Sequence, residues 1–120
     1  MIKNLLMIAA GGALGSMGRY GLSLLASQLL IRAEWATLSA NALGSFLIGL
    51  FMACAKNEWL LFCTVGLCGG FTTFSTFSSQ SLRLLHDGHY LWGVLYMTGS
   101  VALSLGMVAL GLWCGHKIGA

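Results

Sequence analysis

The chain has 120 residues, of which 58% are hydrophobic and only 8% are charged, and its formal net charge is +3. Soluble domains carry about 25% charged residues, so the ionised groups here are too few to cover the outside of a water-soluble fold. Basic residues are also too sparse for nucleic-acid binding. The composition therefore predicts an integral membrane protein whose outer solvent is lipid.

Four apolar runs are separated by short polar breaks, which hold all three acidic residues of the chain. Each run is as long as the roughly 17 to 25 residues that a bilayer demands, or slightly longer. Helices are expected because the runs lack the alternating polarity of membrane strands. The sequence thus predicts an all-α membrane protein, with one domain over residues 1–120 and four transmembrane helices. The predicted spans are about Leu5 to Ile31, Thr37 to Ala55, Trp59 to Leu85 and Tyr90 to Gly115.

Arg19 lies well inside the first span, about 22 Å along the helix from Leu5. A charge at the bilayer centre costs at least about 2.5 to 3.5 kcal/mol. We therefore expect Arg19 to face a water-filled vestibule or to extend toward the nearer interface. Pairs of small residues four apart predict close helix packing in this span and in later ones. They include Gly11 with Gly15, Ser45 with Gly49, and Gly66 with Gly70.

The second span carries Asn41 on the same helical face as Gly44, Ser45 and Ile48. Its amide therefore points along a small, polar stripe rather than toward lipid. An amide N–H can donate to an anion, and an interhelical hydrogen bond, typically below about 2 kcal/mol in membranes, is the alternative.

The third span reads GGFTTFSTFSSQS between Gly69 and Ser81, where eight of thirteen side chains are Ser, Thr or Gln. The Gly69–Gly70 pair predicts a broken helix, which membranes tolerate only beside protein or a water-filled cavity. Carbonyls freed by the break become candidate cation ligands. Phe74 and Phe77 share a helical face beyond it. The pattern favours a permeation or binding site, and the alternative is a helix interface whose hydroxyls bond back to their own backbone.

The fourth span places Tyr96, Ser100 and Ser104 at steps of four residues, which predicts one ladder of hydroxyls along a helix. For Ser104, ordinary packing is the alternative.

Positive charge is nearly balanced between the two predicted sides of the membrane. One side holds Lys3, Lys56 and Lys117, and the other holds Arg32 and Arg83. Because positive residues in short loops normally fix orientation, this balance permits insertion both ways up. Two oppositely inserted copies would provide the inverted symmetry that larger transporters encode as internal repeats. The alternative is a single orientation set by the weak bias.

Three segments together resemble the Fluc (CrcB) family of bacterial fluoride channels, namely GGALGSMGRY from Gly11, NALGSFLIG from Asn41 and GGFTTFSTF from Gly69. The resemblance covers the whole chain in order and spacing. It implies a passive channel that exports fluoride across the bacterial cytoplasmic membrane and relieves fluoride toxicity. It further implies an antiparallel, dual-topology homodimer with two pores and a structural sodium ion at its centre.

The resemblance also implies roles for residues of the third span. Phe74 and Phe77 would be the aromatic pair along which fluoride moves, since ring edges are positive. Gly69 and Thr72 would supply backbone carbonyls to the sodium ion, which is structural and not transported. One departure is Gln80, because many members of the family have Glu three residues after the second phenylalanine.

Residues of the other spans match further family positions. Asn41 would stand at the pore entry, and Tyr96, Ser100 and Ser104 would line or support the ion path. Arg19 would lie at the aqueous mouth, where its positive potential concentrates anions.

Two other functional classes compete with a channel. A proton-coupled small multidrug transporter also has four helices, but it needs a carboxylate inside a span, and Glu34, Glu58 and Asp87 all fall in the predicted loops. A scaffold subunit without transport activity would leave the polar third span unexplained. We do not expect an enzyme, because the sequence shows no nucleophile–base pair or metal-ligand pattern.

Overall fold

The computed structural model describes residues 1–119 and consists of helices joined by short connections. No strand occurs among those residues, so the predicted all-α class is confirmed. The third span is built from several short helical segments, and the other spans are single helices. In chain order the elements are α1 (Ile2–Gln28), α2 (Ala33–Cys54), α3 (Asn57–Leu61), a π-helical segment (Phe62–Cys68), α4 (Gly69–Phe71), α5 (Ser75–His86) and α6 (Tyr90–Gly119).

Three helical spans are long and apolar enough to cross a membrane: Ala33–Cys54, the composite Asn57–His86, and Tyr90–Gly119. They correspond to the second, third and fourth predicted spans, and the chain is therefore a membrane protein with several apolar helices. α1 is a continuous helix of 27 residues, but Arg19 and its glycines lower its hydropathy. It is not among the helices that length and composition alone identify as spans.

Glycine residues bring α1 against the third span. Gly11 and Gly15 are buried, and a side chain at either would collide with backbone atoms of the segment from Phe62 to Phe71. From the other side, a Cβ atom at Gly70 would lie only 2.6 Å from the carbonyl oxygen of Gly12. These contacts confirm that the small-residue pairs of the two spans lie at a helix interface, as membrane packing favours.

α2 packs most extensively on α6, again through glycines. A side chain at Gly49 would collide with the backbone of α6, and one at Gly111 would collide with the backbone of α2. Near the ends of the two helices, the Cys54 thiol donates to the carbonyl oxygen of Gly115 at 3.4 Å. The close contact fixes the polar faces of α2 and α6 relative to each other.

The third span is broken near Gly69–Gly70, as predicted, and the residues that leave the helix are Thr72–Phe74. Gly69 keeps helical angles, with φ −62° and ψ −37°, while Thr72 is extended, with φ −81° and ψ 160°. Within this helical pair, Gly70 makes the close contact with α1. A π-helical segment, in which the helix is widened, precedes the break.

Candidate functional site

A cavity of about 370 Å³ lies between α2, the break in the third span and α6. Seven of the nine site residues predicted from the sequence line this cavity. They are Asn41, Gly69, Thr72, Phe74, Phe77, Ser100 and Ser104. The remaining wall includes Ile48, Val101 and Leu105, so the cavity is apolar apart from a few polar groups. Tyr96 and Arg19 lie outside its lining.

Asn41 binds the backbone of the break as well as lining the cavity. Its Oδ1 accepts a hydrogen bond from the Thr73 N–H at 2.8 Å, and its Nδ2 donates to the Thr73 carbonyl at 3.0 Å. The structure therefore shows the interhelical bond that the sequence left as an alternative. An amide nitrogen carries two N–H groups, so the second N–H remains for another acceptor. No pattern in the sequence indicated Thr73 as the partner.

The backbone carbonyls of Gly69 and Thr72 have lost their usual helical donors. In an unbroken helix, the Thr73 N–H would donate to Gly69, but here it donates to Asn41. Likewise, the Thr76 N–H would reach Thr72, but it donates instead to the Thr73 Oγ1 at 3.3 Å. Carbonyl oxygens in this situation have the chemistry of ligands for hard cations.

Three aromatic rings form a row beside the cavity. The ring centroids of Phe74 and Phe77 are 5.8 Å apart, and those of Phe77 and Tyr96 are 5.2 Å apart, both pairs tilted by 53°. Phe77 is buried, whereas Phe74 is 77% exposed in the single chain. The Tyr96 hydroxyl donates to the Gln80 Oε1 at 2.7 Å. Gln80, the departure from the family pattern, thus holds Tyr96 at the end of the row.

Ser100 lines the cavity, and its hydroxyl is buried. The hydroxyls of Thr64, Thr72 and Ser81 donate to carbonyls four residues earlier in their own helix. These three bonds are of the kind expected if the hydroxyls only bond back to their own backbone. The Ser100 Oγ differs, because it is the one buried side-chain nitrogen or oxygen in residues 1–119 that lacks a hydrogen-bond partner. Such a group usually has a water or an ion as its partner.

Arg19 binds the third span rather than lining the cavity. Its Nε donates to the Gly70 carbonyl at 3.2 Å, just before the helix breaks. The break removes the helical donor that this carbonyl would otherwise have. This bond gives the charged side chain a polar partner inside the protein. Arg19 does not line the cavity, and its role at an aqueous mouth stays a prediction.

The model of the CrcB-like protein family, described as camphor resistance (CrcB), matches residues 6–112. The chain belongs to the CrcB family. Several relatives named fluoride-specific ion channel FluC are similar to this CrcB chain over nearly their whole length. The protein of Leptospira interrogans is 42% identical over 92% of this chain and 93% of its own. That of Phocaeicola vulgatus is 44% identical over 93% and 98%, and that of Thermus thermophilus is 44% identical over 98% of both.

A second cavity of the CrcB chain, about 340 Å³ in volume, adjoins the first at Ser100, which lines both. Tyr96, the remaining residue of the predicted hydroxyl ladder, lines this second cavity together with Arg32 and Glu34. The sequence placed these two charged residues in a polar break between spans and gave no reason to assign them to a site.

Proposed function

We propose that this CrcB-family chain forms a passive channel selective for fluoride. The FluC proteins that support this proposal are 42–44% identical over more than nine-tenths of the chain. The observation that carries it is Ser100, which lines a largely apolar cavity and whose buried hydroxyl has no protein partner among residues 1–119. A small anion is a suitable acceptor for that hydroxyl.

The cavity chemistry suits an anion that has lost much of its water. The edges of the Phe74 and Phe77 rings carry partial positive charge, and the Ser100 hydroxyl and the second N–H of Asn41 can donate to the anion. None of these groups is ionised. Conduction requires binding that is favourable enough to enter and weak enough to leave, and such neutral donors meet both requirements.

Transport is proposed to be passive. Glu34 and Glu58 lie in the first turns of their helices and Asp87 follows the end of α5, so each carboxylate lies at an end of its span. Exchange coupled to protons would need a carboxylate within the membrane. The channel would therefore export fluoride down its gradient through the bacterial cytoplasmic membrane and relieve its toxicity, with no enzymatic step.

The functional unit is proposed to be a homodimer of two oppositely inserted copies with two pores. Phe74 lines the cavity and yet is 77% exposed in the single chain, and a second copy would cover this open side. The near balance of positive charge permits both orientations. In this arrangement α1, which is about 40 Å long, is the fourth helix to cross the membrane.

A sodium ion is proposed to lie at the dimer centre, held by the carbonyl oxygens of Gly69 and Thr72 from both copies. The donors that would normally satisfy these two carbonyls are diverted to the side chains of Asn41 and Thr73. The donor set is all oxygen, which suits a hard cation. The ion would stabilise the break where two copies meet, and it would not be transported.

Fluoride and chloride efflux from liposomes tests the proposed function. The purified chain is reconstituted, and both ions are followed with selective electrodes. Rapid fluoride efflux with little chloride efflux is expected. Equal rates for the two ions, or no efflux of either, would refute the assignment.

A further inference from the structure

The residues that line the second cavity are typical of a membrane–water interface. Trp35 and Trp92 line it and are 57% and 62% exposed, and tryptophan is enriched at headgroup level. The cavity lies beside the first turn of α2. Since Ser100 lines both cavities, an ion leaving the first cavity past Ser100 would reach water through the second.

Arg32 and Glu34 are the only charged side chains in residues 1–119 that line either cavity. The Arg32 guanidinium donates to the Glu34 Oε1 at 3.4 Å. The arginine side chain is 66% exposed, whereas the glutamate side chain is 22% exposed. The positive member is therefore the one more open to water, and the negative member lies closer to the protein.

We infer that the Arg32–Glu34 pair sets the local concentration of anions at the water-facing mouth of the ion path, an inference that rests on the proposed function. A carboxylate by itself at this mouth would repel an anion, while a guanidinium attracts one. Paired, the two charges largely cancel. The rates at which an anion enters and leaves the path then depend on whether the arginine or the glutamate is left without its partner.

The expected effect follows from Coulomb's law in water. One unit of charge about 8 Å from the ion changes its local concentration roughly two- to threefold at low ionic strength. Salt screens this interaction over a length of about 10 Å at 0.1 M and about 3 Å at 1 M. A change in rate that arises from this pair must therefore shrink as salt is added.

The test compares fluoride efflux from liposomes for the wild-type chain, Arg32→Gln, Glu34→Gln and the double variant. Arg32→Gln leaves the glutamate unpaired and is expected to lower the rate roughly two- to threefold at low salt. Glu34→Gln leaves the arginine unpaired and is expected to raise it by a similar factor. The double variant should return close to the wild-type rate, and the differences should fade at about 1 M salt.

Lys56→Gln is the matched control, because it removes one positive charge from an exposed residue that lines neither cavity. Its rate should match the wild type, as should that of Arg32→Lys, which keeps the charge. Unchanged rates in both single variants, or changes in the same direction that persist at high salt, would overturn the inference while leaving the channel intact. If the wild-type chain itself does not move fluoride, the proposed function fails first.

Discussion

Replacing Asn41 with alanine should weaken the fold at the break in the third span. The substitution removes both hydrogen bonds to the Thr73 backbone, at 2.8 and 3.0 Å. Hydrogen bonds between membrane helices average about 0.6 kcal/mol, with a maximum of about 1.7 kcal/mol. Two of them predict a loss of about 1 to 3 kcal/mol in the free energy of unfolding, or roughly a tenfold to hundredfold shift in the folding equilibrium.

The measurement is reversible unfolding of the purified protein in mixed micelles, with fluoride efflux measured on the same preparation. Asn4→Ala is the control, since Asn4 is exposed near the start of α1. Fluoride efflux should also fall for Asn41→Ala, because the cavity loses a donor and the carbonyl of Gly69 regains the Thr73 N–H. An Asn41→Ala protein as stable as the control would show that the pair of bonds does not hold the break.

Three further predictions concern single residues elsewhere. Ser100→Ala should lower fluoride efflux about tenfold or more, as expected for losing a hydrogen bond to a charged group. The control Thr98→Ala, whose exposed hydroxyl bonds to its own helix, should leave efflux unchanged. Equal efflux rates for the two variants would show that Ser100 does not contact the ion. Arg19→Gln should lower the free energy of unfolding by about 1 to 3 kcal/mol with efflux per folded protein unchanged, and a salt-sensitive loss of efflux at full stability would instead indicate a vestibule role. Gly15→Leu should prevent α1 from packing on the third span, whereas Gly21→Leu projects into open space; a well-folded Gly15→Leu protein in size-exclusion chromatography would contradict the close contact.

The sequence predicts the helical spans well, because lipid imposes simple requirements on them. Apolar length and polar breaks locate α2, the third span and α6 within a few residues of their observed ends. The spacing of small residues also identifies the interface between α1 and the third span, since backbones can approach closely only where side chains are absent. Membrane solvation thus determines the elements and part of their packing.

Contacts between distant residues could not be predicted in the same way. The break lies at Thr72–Phe74, where Asn41 bonds to the backbone of Thr73. No local sequence pattern links these two positions. The Arg19 bond to Gly70 depends on the same break. Helical spacing places polar side chains on a face, but it does not say which backbone groups a break will expose.

The identity of the conducted ion is the property that residue chemistry predicts least well. Hydroxyls, an amide and ring edges indicate a small anion in general, and the Fluc resemblance adds fluoride. The relatives that are 42–44% identical to the chain are named for the same ion. The Arg32–Glu34 pair could not be assigned to a site from the sequence, because both residues lie in a predicted loop. Only the fold shows that they line a cavity.

Fluoride efflux through Phe74→Ile and Phe77→Ile variants tests most directly whether the ring-lined cavity is the ion path. Each variant should keep the elution volume of the wild-type protein in size-exclusion chromatography, while its efflux falls at least about tenfold because the positive ring edges are gone. Phe51→Ile, a ring outside both cavities, should conduct normally. Normal efflux in both Phe74→Ile and Phe77→Ile would contradict the account.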